Sequence, residues 1–381
     1  MTTSPERRIH HQPQRGLEEL RDCESVTDLT KQLVGEEGDQ IAILSLALRG
    51  SAGVSREIEQ QAKELAENGY DVTLYVLESD MDAPEGVDLR VLGTPSNFYL
   101  NKLYQLLYPA NVPKVHPVIR ELRSFDLLIA HRYPLTCLAY FASRDGSVPY
   151  VVWHYHVPNP DAMPSIPQRV FMRALEYLEE ESWIVKNADV ACSISDSSRE
   201  ILEARSGVDS LVIANDTENS RFEDVEPDFD AIEENYGITS EDSLVLFVGR
   251  LTATKNVLEL VSLFETVRDE IPNAKLVVAG KPTVDDYYQE LQREADEGVV
   301  FTGFIPDEEL VALYEYCDVY ATCSIREGRN LPPGEAQVYG AKVVGFNVPG
   351  IRDIVSQGKL AEPENYEQFT NHILSILTED Q

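Results

Sequence analysis

Short apolar segments alternate with amphipathic stretches from residue 40 onward. The segment 41–48, IAILSLAL, is apolar except at Ser45, which is typical of a strand buried on both faces of a parallel sheet. A turn of small residues follows, and 55–68 is predicted to form a helix that ends at Gly69, a usual residue after a helix C-terminus. Further strands are predicted at 72–77, 125–130, 150–153 and 190–194. Strands alternating with helices predict a parallel sheet covered on both faces.

The same alternation resumes after an acidic stretch at 223–242. Its strands are predicted at 244–248, 275–279, 299–302, 319–322 and 342–346. We therefore expect an α/β protein with two tandem Rossmann-like parallel-sheet domains, at 40–210 and 211–363, and a C-terminal helix at 364–381. Ligands of such sheets bind beyond the carboxyl ends of the strands, so the site is expected in a cleft where the two domains face each other.

Residues 1–39 are polar and charged and show no sustained periodicity. They are interpreted as an N-terminal extension, mobile or loosely packed, with one helix near 16–34. They also lack the apolar segment of a secretory signal. No apolar run in the chain is long enough to span a bilayer. The expected location is therefore the cytoplasm.

The charge balance is extreme, with 66 Asp and Glu against 32 Lys and Arg and a net charge of −34. Nucleic acid is excluded as a main partner, because phosphate binding needs a basic surface. The acidic residues are spread over the whole chain, which favours adaptation to high salt and a halophilic, archaeal source. A merely acidic protein from a low-salt organism is the alternative.

The five cysteines are widely spaced and form no CxxC pair, so zinc and redox motifs are not expected. Reduced thiols in a cytoplasm fit this pattern. Most are interpreted as small core residues. They are Cys23, Cys137, Cys192, Cys317 and Cys323.

The strongest candidate for chemistry is a pair of carboxylates, Glu327 and Glu335, on either side of a predicted loop-to-helix junction. Pro332 and Pro333 suit the first positions of the helix. Amides at a helix N-terminus can bind phosphate, and carboxylates accept hydrogen bonds from sugar hydroxyls. The alternative is that Glu335 only complements the helix dipole while Glu327 is solvated.

The segment that starts at Glu327, EGRNLPPGEA, resembles the E-x7-E signature of the retaining GT-B glycosyltransferases of family 4. The resemblance implies that Glu327 lies at the donor sugar and that Glu335 binds the nucleotide ribose. Gly328, Asn330 and Leu331 occupy signature positions that are expected to contact the donor. Asn330 stands where glycine is usual and is expected to tolerate a left-handed backbone there.

Other segments resemble motifs of the same family. The residues from Arg250 to Lys255 resemble GRLxxxKG, with Asn256 in place of the last glycine, and the resemblance implies that the two cations neutralise the leaving nucleoside diphosphate. Gly303 lies in a turn that resembles one lining the nucleotide pocket. Gly53 lies in a turn similar to GGVxR, where glycine lets the backbone approach the donor phosphate. An ordinary strand-to-helix turn is the alternative for Gly53.

The histidines after two predicted strands are further candidates. WHYHVP resembles the family's V-x-H-x-P segment, which implies that His156, or His154 two residues earlier, lies near the transferred sugar. His131 follows the strand at 125–130 and is predicted to bind the acceptor or to line the rim of the site. A core position for His131 is the alternative.

The resemblance implies a retaining transferase that moves a sugar from a nucleotide-sugar donor, bound by 211–363, to a glycan or lipid-linked acceptor on the side of 40–210. No metal or other cofactor is expected, because no DxD motif ends a strand at the site. A sugar phosphorylase and a catalytically silent sugar-nucleotide-binding subunit are the alternatives. A phosphorylase needs a phosphate or cofactor site that the sequence does not indicate. The presence of both glutamates and both cations argues against the silent subunit.

Residues 98–123 break the acidic pattern of the chain. They contain Lys102, Lys114, Arg120 and Arg123 but one acid, Glu121. Aromatic and aliphatic residues alternate with these cations, a composition that suits peripheral contact with anionic lipid. The segment therefore predicts a peripheral contact with the inner face of the cell membrane, with a core helix and incidental cations as the alternative.

Overall fold

The computed structural model describes residues 17–35, 38–49, 53–155, 166–213, 222, 224–282, 285–325, 327 and 330–379. Backbone contacts divide the chain into two compact units, Met1–Asn215 and Asp216–Gln381. Each unit has one parallel sheet with helices packed on it, as the alternation of apolar and amphipathic segments predicts.

The first unit is built on a sheet of order β3-β2-β1-β4-β5-β6-β7. Its strands are β1 Gln40–Leu48, β2 Asp71–Ser79, β3 Val87–Val91, β4 Leu127–Ala130, β5 Tyr150–His154, β6 Val190–Ser193 and β7 Leu211–Val212. Its helices are α1 Leu17–Leu20, α2 Val26–Leu33, α3 Gly53–Glu67, α4 Phe98–Leu107, α5 Val112–Leu122, α6 Leu135–Ser143, α7 Ile166–Glu176, α8 Trp183–Lys186 and α9 Asp196–Ser206. Because β7 pairs with β6, the first unit extends beyond residue 210, where the sequence placed the boundary.

The second unit has a sheet of order β10-β9-β8-β11-β12-β13. Its strands are β8 Ser243–Val248, β9 Ala274–Ala279, β10 Val299–Gly303, β11 Val319–Thr322, β12 Lys342–Phe346 and β13 Gly358–Ala361. Its helices are α10 Phe229–Tyr236, α11 Val257–Glu270, α12 Asp285–Glu294, α13 Asp307–Tyr316, α14 Leu331–Val338 and α15 Tyr366–Glu379. The last of these, α15, packs three fully buried residues against this sheet: Phe369, Ile373 and Ile376.

The prediction of loose packing is wrong for residues 17–34. Val26 and Leu29, on one face of α2, are fully buried in the same cluster as Ile41 and Ile43 of β1. The Ser25 hydroxyl accepts a hydrogen bond from the amide of Asp28 and so caps the start of the helix. The sequence predicted one helix near 16–34, and the structure has two short helices there, α1 and α2. Residues 1–16 lie outside the described residues.

The five cysteines are buried and form no disulfide with one another. Within the described residues, no helix combines the length and the apolar character needed to cross a bilayer.

The acidic surface leads to a testable dependence of stability on salt. Even if every Lys and Arg paired with one acid, 34 acids would remain. We expect the unfolding temperature to rise between about 0.1 M and about 1 M KCl, because the Debye length falls from about 10 Å to about 3 Å. Thermal unfolding in KCl, with sucrose as a stabiliser that does not screen charge, measures this. An unfolding temperature that sucrose raises and KCl leaves unchanged would contradict the adaptation to high salt.

Candidate functional site

The carboxyl edge of the second sheet is made of closely packed glycine backbone. Gly249 follows β8 and Gly280 follows β9, and the amide of Gly280 donates to the carbonyl of Gly303 at 2.8 Å. A Cβ atom on Gly280 would lie 1.8 Å from the Gly249 carbonyl oxygen. Gly303 has φ of 71°, a left-handed conformation that favours glycine. These glycines bring the ends of three neighbouring strands together and leave the edge free of side chains at those points.

A cation and two acceptor groups meet at this edge. Lys255 Nζ lies 2.6 Å from Glu327 Oε1 and 3.3 Å from Asn330 Oδ1. The Lys255 and Glu327 side chains are only 16% and 12% exposed, so water screens their attraction less than it would on an open surface. The structure therefore brings together three residues that the sequence assigned to the donor site. Gly328, which lies between Glu327 and Asn330 in the chain, is outside the described residues.

Asn330 differs from the expectation for its backbone. Its φ is −104°, so the left-handed conformation predicted for this position is wrong. Asn330 precedes the first residue of α14, Leu331, yet its side chain makes no capping hydrogen bond. Its amide oxygen instead accepts from Lys255, which explains an asparagine here without any need for a glycine-like backbone. Leu331 is half-buried at the start of α14.

Glu335 lies in the first turns of α14 and is 2% exposed. Its Oε2 accepts a hydrogen bond from the hydroxyl of Tyr314, in α13, at 2.7 Å. Tyr320, in β11, donates to the carbonyl oxygen of Val248 at the end of β8. Neither tyrosine was predicted as part of the site, because neither belongs to a local motif. A carboxylate held in this way can accept hydrogen bonds from hydroxyl groups on a ligand.

Arg250 follows Gly249 directly and is exposed at the same edge of the sheet. The chain then turns back, since the Leu251 amide donates to the carbonyl of Lys281 at 3.1 Å. A short 3₁₀ turn, Ala253–Lys255, leads into α11. Two cations thus lie within seven residues of the end of β8, where they can contact a diphosphate.

The first unit carries a buried hydrogen-bonded chain at the carboxyl ends of β4 and β5. His131 Nδ1 lies 3.0 Å from the Tyr155 hydroxyl, which also hydrogen bonds to Glu57 in α3. If the Tyr155 proton is directed to the carboxylate, Nδ1 is the donor to the Tyr155 oxygen and Nε2 is the acceptor. Burial and the neighbouring guanidinium of Arg132 lower the pKa of His131 to about 3. The imidazole is therefore neutral at neutral pH.

The three predicted histidines have different outcomes. His131 is 3% exposed, so the rim position is wrong for it, and the alternative of a core position holds. His154 is the last residue of β5 and is 2% exposed. Both line a cavity about the size of one water molecule. His156 lies outside the described residues. Gly53 is the first residue of α3, whose N-terminal amides suit an anion.

Among the residues that the structure describes, no cluster of three or more His, Cys, Asp or Glu side chains is placed to hold a metal ion.

Two family models match the chain, one in each unit. "Glycosyltransferase Family 4" matches residues 51–215, and "Glycosyl transferases group 1" matches residues 228–381. The alpha-monoglucosyldiacylglycerol synthase of Streptococcus pneumoniae is 24% identical over 317 residues, which cover 80% of this chain and 70% of that protein. The D-inositol 3-phosphate glycosyltransferase of Corynebacterium urealyticum is 28% identical over 282 residues, which cover 68% of this chain and 64% of that protein.

A solved structure shares the fold. The Anabaena protein HepE, crystallised with UDP and glucose, superposes with a TM-score of 0.67 at 17% identity, over 90% of this chain and 91% of that one. The chain is a glycosyltransferase with the GT-B fold. In this glycosyltransferase, the group 1 match contains the ion pair of Lys255 and Glu327 together with Glu335 and Arg250. The family 4 match contains the buried chain of Glu57, Tyr155 and His131.

Proposed function

We propose that the protein is a retaining glycosyltransferase that moves a sugar from a nucleoside diphosphate to a lipid-linked or glycan acceptor. The contact of Lys255 with Glu327 and Asn330 supports this proposal most directly. It places a cation at the strand ends where phosphate is expected, next to a carboxylate and an amide that can hydrogen bond to sugar hydroxyls. Glu335, fixed by Tyr314, is assigned to the ribose.

The reaction breaks the bond between the anomeric carbon of the sugar and an oxygen of the diphosphate. Negative charge grows on that oxygen, and Lys255 and Arg250 stabilise it. The acceptor hydroxyl attacks from the face that the diphosphate leaves, a new bond joins its oxygen to the anomeric carbon, and its proton passes to the departing phosphate oxygen. The configuration is retained without an enzyme-bound intermediate.

Glu327 is assigned to orienting the sugar and Lys255 rather than to attack. A double displacement uses two carboxylates about 5 Å apart across the bond. The ion pair with Lys255 also lowers the nucleophilicity of the Glu327 carboxylate, since its negative charge is directed toward the ammonium group.

The names of similar proteins support the two substrate classes. The HepE structure holds UDP and glucose, which favours a nucleoside diphosphate sugar as the donor. The streptococcal protein is named as a synthase of a glucosylated diacylglycerol, which favours a lipid among the acceptors.

A screen of UDP-, GDP- and ADP-sugars by thermal shift in high salt tests the proposal. A donor that binds the folded state increases the free energy of unfolding, by about 2.7 kcal/mol at 100 times its Kd, and so raises the unfolding temperature. Proton NMR of the product made from the stabilising donor then reports the anomeric configuration. An inverted product would exclude the retaining reaction, and no stabilisation by any donor would oppose the assigned site.

Catalysis is expected to continue in excess EDTA. The reason is that phosphate charge is assigned to Lys255, Arg250 and backbone amides rather than to a metal ion. The measurement is the rate of transfer before and after chelation, with EDTA-free buffer of equal ionic strength as the control. A loss of activity that magnesium or manganese restores would show a metal requirement.

The membrane contact predicted for 98–123 is proposed for one face of α4 and the start of α5. Leu100, Leu103, Leu107 and Val112 are 58%, 53%, 55% and 63% exposed. The leucines recur at helical spacing, so they form one apolar face. A mostly apolar groove lies beside the leucines, lined by Pro95, Leu100, Leu103, Tyr104, Leu107, Ala110 and Asn111.

The cations of this segment are expected to contribute less to membrane binding than the sequence suggests. Arg123 pairs with Asp145, Glu121 pairs with Arg90, and burial lowers the pKa of Lys102. Lys114 and Arg120 are exposed, and Lys114 Nζ lies 3.2 Å from the hydroxyl of Tyr104 in α4. We therefore propose an anionic bilayer as the occupant, held mainly by the leucines, because high salt screens the charges.

Leu103→Ser with Leu107→Ser is expected to weaken binding to anionic liposomes by at least about tenfold, because each exposed leucine contributes part of about 1.5–3 kcal/mol when buried. Flotation with liposomes at high salt measures this. Val91→Ser with Val338→Ser, which removes two apolar side chains that are each 53% exposed elsewhere, is the matched control. Wild-type protein that stays unbound, or equal binding by the two double variants, would exclude this face as the contact.

A further inference from the structure

Asn256, next to Lys255, has a strained backbone, and its side chain does not cap the helix that it precedes. Its φ of 55° and ψ of 38° are left-handed, a conformation that costs a non-glycine residue free energy. Asn256 is the N-cap residue of α11, where asparagine normally accepts a hydrogen bond from the helix. Its side chain makes no such bond. The amide nitrogen Nδ2 donates instead to the hydroxyl of Tyr366, at 3.0 Å.

A second tyrosine takes over the capping role. The hydroxyl of Tyr287, in α12, accepts a hydrogen bond from the amide of Leu258 at 3.1 Å. Leu258 is the second residue of α11, so this bond satisfies one of the amides that a capping side chain would satisfy. Residues on two other helices thus hold the point where the turn containing Lys255 enters α11.

Tyr366 is itself fixed to the core of the second unit. It is the first residue of α15, and its ring packs edge-on against Phe346 with the centroids 5.5 Å apart. Phe346 ends β12 and is fully buried. The Phe346 ring also packs against Phe369 of α15, at 5.2 Å. The hydroxyl that Asn256 meets therefore has a fixed position relative to the sheet.

We propose that Tyr366, through Asn256, is a positioning residue that holds the turn at 253–256 so that Lys255 Nζ lies at the donor phosphate. The C-terminal helix then takes part in donor binding without touching the donor. The proposal rests on the proposed function in one respect, the assignment of Lys255 to the donor diphosphate. The hydrogen bond explains the asparagine, because its side chain offsets the strain of a conformation that glycine would adopt freely.

The test is the affinity for a nucleoside diphosphate, measured by calorimetry with whichever of UDP, GDP and ADP binds wild type most tightly. Tyr366→Phe keeps the ring and removes the hydroxyl. We expect it to weaken binding about 3- to 10-fold, the equivalent of one lost hydrogen bond. Asn256→Gly keeps the backbone conformation, removes the side chain and is expected to give the same loss. Because each variant breaks the same bond, the double variant is expected to bind no more weakly than either single one.

Three further variants distinguish a failure of the positioning role from a failure of the proposed function. Lys255→Met tests the assignment of Lys255 itself: unchanged affinity would refute that part of the proposed function. In the Lys255→Met background, Tyr366→Phe is expected to have no additional effect, because it acts through Lys255. Tyr288→Phe removes a hydroxyl from the residue beside Tyr287 and is the control for the loss of a tyrosine hydroxyl in this unit. If Lys255→Met weakens binding while Tyr366→Phe only lowers the unfolding temperature, the positioning role is wrong and the contact is structural.

Discussion

Lys255→Met is expected to lower kcat/KM for sugar transfer by about 10²- to 10³-fold, the usual cost of removing one group that stabilises charge in a transition state. The Lys255 side chain is only 16% exposed and its ammonium group contacts both Glu327 and Asn330, so no water-exposed cation can take over its position without rearrangement. The charge it stabilises appears on the departing diphosphate. The loss should therefore appear in kcat as well as in donor affinity, which steady-state kinetics with varied donor separates.

A matched lysine in the same unit provides the control. Lys275 Nζ lies 2.9 Å from Asp242 Oδ2, and its side chain is 30% exposed. Lys275 is the second residue of β9, at the amino end of the strand and away from the carboxyl edge that carries the site. Lys275→Met removes the same charge and a similar ion pair, so we expect it to lower stability slightly and to leave kcat/KM near the wild-type value. Equal losses in the two variants would mean that Lys255 acts through the overall charge or fold.

Most of the strands that the sequence predicts are buried, although the edge strand β10, half-buried at all five positions, was predicted as well. Strands β1, β8 and β12 are apolar at most positions, and each was predicted to within one residue of its observed ends. Strands β3, β7 and β13 were not predicted from the sequence. Strand β3 lies at an edge of its sheet and has exposed or half-buried residues at four of its five positions, β7 has two residues, and β13 contains a glycine and a lysine. Such strands form because a neighbour offers hydrogen-bonding partners, which a local apolar pattern does not report.

In the candidate site, too, some residues could be predicted from the sequence and others could not. Glu327, Asn330 and Lys255 could be assigned because each belongs to a short motif whose spacing survives in the sequence. The partners of the neighbouring Glu335 and Asn256 could not be predicted, since Tyr314 lies 21 residues from Glu335 and Tyr366 lies 110 residues from Asn256. Such contacts depend on how helices pack.

The two asparagines at glycine positions show the same limit. Only Asn256 has the left-handed backbone, while Asn330 is extended and uses its side chain to bind Lys255. One residue type therefore replaces glycine for two different physical reasons, and the sequence alone does not distinguish them.

Gly280→Ala is expected to destabilise the second unit by about 3 kcal/mol or more, which is toward the upper end of the effects of single substitutions. The new methyl group would lie 1.8 Å from the carbonyl oxygen of Gly249, and backbone cannot move aside as a flexible side chain can. The φ of 154° at Gly280 adds strain for any residue with a Cβ atom. Relief requires separating the ends of β8 and β9, which also carry the turn to Lys255, so nucleoside diphosphate affinity is expected to fall with stability.

The control is Gly237→Ala, at the C-terminus of α10. Gly237 has φ of 65°, also unfavourable for alanine, but a Cβ atom there would meet no atom within 4 Å. Its expected cost is about 1 kcal/mol, the strain of the left-handed backbone alone. Urea unfolding of the two variants, followed by a binding titration of the folded protein, separates strain from collision. If Gly280→Ala cost no more than Gly237→Ala and bound nucleotide normally, the contact between the two strand ends would not be needed to shape the donor site.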